Sequence, residues 1–129
     1  MMRITQRIAE RNKDYYGKKP VTIVCLGDSV THGCFEVFMN RFGLIDTRYR
    51  PDRGYAAQLR RRLDALYPAA AVSVLNAGVS GGNAVHGLAR LERDVLSHKP
   101  DLVIVNFALN DSCGGLEKLE DWLVERIYH

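Results

Sequence analysis

The residues Val21, Thr22, Ile23, Val24, Cys25 and Leu26 run without a charge and then break into Gly27-Asp28-Ser29. A run of that length, rich in β-branched and apolar side chains, suits a strand covered on both faces. Such strands belong to parallel sheets flanked by helices. Gly27 supplies the turn that ends the strand. A serine is thereby left at a strand's carboxyl end, the edge of an open α/β sheet where ligands bind, with its hydroxyl carried on a rigid support. The same turn also fits a plainer role, in which Asp28 or Ser29 only caps the next helix. The rest of the chain has to decide.

Two further strands repeat the pattern. Residues 70–75 form an apolar run followed by Asn76-Ala77-Gly78-Val79-Ser80-Gly81-Gly82-Asn83, and Leu102-Val103-Ile104-Val105-Asn106-Phe107 leads into Ala108-Leu109-Asn110-Asp111. Helical periodicity lies between and after them. Residues 54–66 set Tyr55, Leu59, Leu63 and Leu66 on one face, residues 85–96 carry Leu88, Leu91, Val95 and Leu96, and residues 116–128 carry Leu116, Leu119, Leu123 and Ile127. Ile4, Ile8 and Tyr15 mark a short amphipathic helix over residues 3–16, packed on the outside. The passage 34–52, with Phe35, Phe38, Phe42, Tyr49 and Pro51, reads as one long irregular loop, a wall or lid for a substrate. The alternation of strand and helix predicts a parallel sheet with helices on both faces and right-handed crossovers. The turns at Asp28-Ser29, at residues 78–83 and at Asn110-Asp111 then meet on one edge of that sheet.

Composition narrows the function classes. A chain of 129 residues is one domain at most, divided here into a helix and lead-in, residues 1–20, and the domain proper, residues 21–129. The formal charge is +3, and the one tight basic cluster, Arg60-Arg61-Arg62, falls within a helical pattern and reads as a solvated face. No nucleic-acid partner is expected. No apolar run has the length of a signal peptide or a membrane span, so the expected location is cytoplasmic, without membrane contact. Cys25, Cys34 and Cys113 are odd in number and lack zinc-ligand spacing, which predicts reduced thiols and no metal centre. Cys25 reads as core packing.

Acyl transfer needs a hydroxyl nucleophile, hydrogen-bond donors aimed at the developing oxyanion, and a base. Ser29 supplies the hydroxyl, backbone amides at Ser29 and in the glycine turn supply two donors, and the Asn110 side chain a third. In this order and with these intervening units, Gly27-Asp28-Ser29-Val30 resembles block I of the SGNH hydrolases, also called GDSL esterases and lipases. Asn76-Ala77-Gly78-Val79-Ser80-Gly81 resembles their block II, and Asn110-Asp111 after a strand their block III. The resemblance covers nearly all of the chain from Val21 onward. It implies a flavodoxin-like α/β/α sandwich of three layers and hydrolysis of esters or thioesters, with no cofactor; by analogy with relatives the expected substrate is a short acyl ester such as a carbohydrate O-acetyl group. It assigns Ser29 as nucleophile and oxyanion donor, Gly81 and Asn110 as the other donors, and Asp28 and Asp111 as supports that order their turns.

Two departures stand out. Ala108 occupies the place where the family has a glycine two residues before the asparagine. The family's Asp-x-x-His block, which carries the base and its acid partner, has no match, and the chain ends at His129. His32 and His86 fall near the active edge and are the base candidates that remain. The expected sheet is therefore truncated after its third strand and following helix, and residues 103–107 form an apolar open edge. A complementing chain or a homo-oligomer would cover it. A catalytically silent remnant that binds a ligand or partner at the same edge is the rival reading.

Overall fold

The computed structural model describes residues 3–113. The helix expected over residues 116–128 lies outside them. Strand β1, Thr22–Gly27, is central, with β4, Ser73–Gly78, and β5, Leu102–Asn106, parallel to it on either side. Side chains alternate across β1, so the strand feeds two cores. On one face Val21 and Ile23 pack with Ile8 of α1, Ile4–Lys13, with Ala70 and Val72, and with Leu59 and Leu63 of α3, Tyr55–Leu66. On the other, Val24 and Leu26 pack with Val95 and Phe107, joined by Ala84 of α4, Ala84–Ala89, and Leu91 of α5, Leu91–Asp94. Each fully buried side chain of this size contributes about 1.5–3 kcal/mol. The result is the expected three-layer arrangement. Asp101, just before β5, accepts the Thr22 amide at 2.9 Å and pairs with Arg7 at 2.9 Å, which ties α1 to the start of the sheet.

Several local expectations are corrected. The second strand begins at Ser73, three residues later than its apolar run, because the chain turns at Ala71 with φ of 51° and only then enters register with Thr22. Ala70 and Val72 are buried ahead of the ladder, and Asn76, Ala77 and Gly78 are strand. The first helix stops at Lys13, and Tyr15 lies exposed beyond it against Tyr16. Leu66 is exposed as well, because the core under α3 ends at Leu63 and Tyr67.

The passage 34–52 is not irregular. It forms an antiparallel ribbon of β2, Cys34–Met39, and β3, Ile45–Tyr49. Asn40 closes its end by accepting the Phe42 and Leu44 amides, with Gly43 at φ of 73°. Val37, Met39 and Ile45 share one face and are exposed, while Phe38 lies half-buried on the other, so apolar residues occur on both sides of the ribbon and the apolar–polar alternation that marks a half-buried strand is missing. Nor is the stretch 85–96 one helix. It breaks at Arg90 between α4 and α5 and passes into a 3-10 turn, Leu96–His98. Residues read as a turn after β5 form the short helix α6, Ala108–Ser112.

The expected open edge is present among the described residues. Among the described residues β5 has β1 as its one strand neighbour, and Val105 is 63% exposed. Cys25 is buried in β1, and all three cysteines are free thiols. No helix among the described residues is long and apolar enough to cross a membrane.

Candidate active site

The sheet register brings the three turns together. Gly27 lies opposite Gly78 on one side and opposite Asn106 on the other. The segments that follow therefore leave the sheet side by side. Asp28 caps α2, Ser29–His32, by accepting the Val30 amide on Oδ1 at 3.0 Å, and its own amide donates to the Asn106 carbonyl at 3.2 Å. Asp28 is fully buried, and its Oδ2 has no hydrogen-bond partner among the described residues. Ser29, the first residue of α2, is half-buried. Capping and presentation are thus divided between neighbours: the carboxylate holds the turn and the serine is left over.

The turn is seated closely on the sheet. A Cβ on Gly78 would stand 2.5 Å from the Thr31 carbonyl carbon and 2.6 Å from His32 Cα, so only glycine lets α2 lie against β4 here. Thr31 is buried beneath the turn and shares a hydrogen bond of 3.0 Å with the Tyr55 hydroxyl. Burial pushes both the Tyr55 phenol and the neighbouring Cys25 thiol up, so the support under Ser29 stays uncharged at neutral pH.

The glycine turn is held from three directions. The Val79 amide donates to the Gly27 carbonyl at 3.0 Å, the Ser80 amide to His32 Nδ1 at 3.2 Å, and the Asn110 side-chain amide to the Gly82 carbonyl at 2.7 Å. Gly81 sits at the tip with φ of 77° and open space around its α-carbon, a conformation that favours glycine. The Ser29 and Gly81 amides donate to no acceptor among the described residues. Asp111 reaches past Asn110 to accept the Ala84 amide at 3.1 Å, bracing the start of α4.

The two histidines named above have different surroundings. His32 stacks on Tyr49, ring centroids 4.5 Å apart, and its Nδ1 is taken by Ser80. His86 is exposed on α4. Among the described residues no cluster of three histidine, cysteine or acidic side chains is arranged to hold a metal ion.

Sequence reasoning missed Arg90. Its Nη1 donates to the Ala77 carbonyl at 2.7 Å and to Asp94 at 3.0 Å, and its Nη2 to the Gly27 carbonyl at 2.9 Å. Arg93 and then Arg90 hold the Asp94 carboxyl down to about 2. The spacing of Arg90 and Asp94 was visible, but it matches an ordinary surface pair on a helix.

Residues 25–125 match the model of the GDSL-like lipase/acylhydrolase family. The chain is similar to the crystal structure of the lipase/acylhydrolase from Enterococcus faecalis, with 31% identity and a TM-score of 0.54 over 81% of this chain and 51% of that one. It is also similar to a two-domain esterase active on acetylated mannans, with 28% identity and a TM-score of 0.66 over 96% of this chain and 30% of that one. An acetylxylan esterase of Geobacillus stearothermophilus is 40% identical over 58 residues, 45% of this chain and 26% of that protein. The chain spans about half the length of these relatives or less.

Proposed function

The chain belongs to the GDSL-like lipase/acylhydrolase family, and from that premise we propose that it acts as a serine esterase on short acyl esters, with O-acetyl groups of carbohydrates as the substrate class. The single observation that carries this reading is the register of Gly27 with Gly78 and Asn106, by which the Ser29, Gly81 and Asn110 segments leave the sheet next to one another. The substrate class is supported by the similarity to esterases described as acting on acetylated mannans and as acetylxylan esterases.

In this mechanism Ser29 Oγ attacks the acyl carbonyl carbon, and its proton passes to a base. The carbonyl oxygen becomes an oxyanion facing the Ser29 and Gly81 amides, which have no acceptor of their own among the described residues. One hydrogen of the Asn110 amide is used on Gly82, leaving the second as the third donor. Loss of one such donor costs about 3–4 kcal/mol in the transition state. The base returns that proton to the alcohol as it leaves, then takes one from the water that attacks the acyl-serine and gives it to Ser29 Oγ as the acid departs. Because the Nδ1 of His32 is engaged by Ser80, this histidine serves as a brace for the glycine turn. The His86 side chain is exposed and has no hydrogen bond among the described residues that would aim it at Ser29, so it is not assigned the base either. The base comes from outside residues 3–113.

The test is exposure of the folded chain to a fluorophosphonate, with and without added imidazole, followed by intact mass spectrometry. A single adduct that is absent in Ser29→Ala, and forms faster with imidazole, is the expected result. An adduct that persists in Ser29→Ala would overturn the assignment of Ser29 as nucleophile, and no adduct under either condition would overturn the esterase reading and leave the silent binding remnant.

A further inference from the structure

We propose that Arg90 is a positioning residue that sets the nucleophile turn against the oxyanion turn; the inference rests on the reading of Ser29 and Gly81 as one site. Arginine and aspartate four residues apart on a helix ordinarily meet on its exposed face. Arg90 does something else. The helix breaks at this residue, with φ of −109° and ψ of 6°, and the side chain turns inward until it is 10% exposed. Its guanidinium then donates to the carbonyls of Gly27 and Ala77, which lie at the last rungs of the β1–β4 ladder. Gly27 precedes Asp28-Ser29, and Ala77 precedes the Gly78 turn that carries Gly81.

The Gly27 carbonyl also accepts the Val79 amide, so Arg90 fixes the same rung that joins the two turns. A planar fork spans two acceptors at once, whereas an ammonium group is a point charge. Asp94 completes the arrangement by accepting from Nη1, and Arg93 anchors Asp94 from the far side. The cost of this placement is visible, because Arg90 Nε is buried without a partner among the described residues. A pair with no role beyond the helix surface avoids that cost by pointing outward.

The positioning role separates from a merely structural one by its response to added guanidinium and to the conservative variant. In the full chain, Arg90→Ala is expected to slow fluorophosphonate labelling of Ser29 by about 100-fold, as expected for a misplacement of roughly 1 Å at a reacting group. Millimolar guanidinium restores much of the rate, and equal sodium chloride does not. Arg90→Lys falls between the two, since it reaches one carbonyl well. Amide hydrogen exchange gives a second readout, independent of any reactivity. Val79 exchanges at least about tenfold faster in Arg90→Ala, while Val24 in the centre of β1 keeps its protection.

Labelling of a folded Arg90→Ala at the parent rate, or a loss that guanidinium leaves untouched while Val79 stays protected, would overturn the inference. If the parent chain itself takes no label, the esterase reading fails. The exchange of Val79 against Val24 then still decides whether Arg90 ties the two turns.

Discussion

Replacing Gly78 by alanine tests whether the seat of the serine turn is as tight as described. Gly78 lacks a positive φ, so backbone conformation alone does not demand glycine there. The obstacle is contact with the backbone of Thr31 and His32 at 2.5 and 2.6 Å, and closer still at the His32 amide nitrogen. Ordinary contacts require α2 and β4 to part by roughly 1 Å, an overpacking that costs about 1–3 kcal/mol or somewhat more. Separation at this point also weakens the Val79 to Gly27 hydrogen bond, worth about 1 kcal/mol. The total of about 3 kcal/mol is a large share of the roughly 5–15 kcal/mol that holds a domain folded.

Gly43→Ala is the matched control. Gly43 has φ of 73° and nothing within 4 Å of an added methyl group, so only backbone strain of about 1 kcal/mol applies. Urea denaturation of both variants, at unchanged slope, reads the two costs directly. Thermal melting follows with a loss of roughly 9–18 °C for Gly78→Ala and roughly 3–6 °C for Gly43→Ala. Equal losses in the two variants, or a Gly78→Ala chain within about 1 kcal/mol of the parent, would refute the close approach of α2 to β4.

Two further outcomes follow from the ion pairs. Asp94 is held at about 2, so the stability it lends is complete above the ordinary carboxylate range and is lost as pH falls through its depressed value. The melting-temperature difference between the parent and Asp94→Asn is therefore constant above about pH 5 and closes near about pH 2; a gap independent of pH over that interval would remove the pair from the stability account. Burial works against ionisation of Asp101, yet the Thr22 amide and Arg7 outweigh it and keep the carboxyl low. Asp101→Ala is expected to cost about 2–3 kcal/mol in urea unfolding, with α1 exchanging its amides first; a loss under about 0.5 kcal/mol would show that Asp101 does not anchor that helix.

The sequence by itself determined the layered fold and which segments share an edge. Strands covered on both faces need long apolar runs, and Val21 to Leu26 and Leu102 to Phe107 carry that requirement openly. Once three such strands are parallel, the turns after Gly27, Gly78 and Asn106 have to emerge on one side, so the sequence alone puts the Ser29, Gly81 and Asn110 segments on one edge, where the register also has them. Tertiary structure decided the rest. The β2–β3 ribbon depends on pairing across its own turn, and its exposed apolar residues hide the period that would have announced it. His32 is a base candidate by sequence position, and only the packed chain brings its Nδ1 to an amide 48 residues away. Arg90 has the spacing of an ordinary surface pair with Asp94, and only the break in the helix turns it onto carbonyls 13 and 63 residues distant. Backbone carbonyls and amides are the same in every residue, so a side chain whose partners are backbone groups leaves no pattern in the sequence, and only the packed chain reveals what it holds.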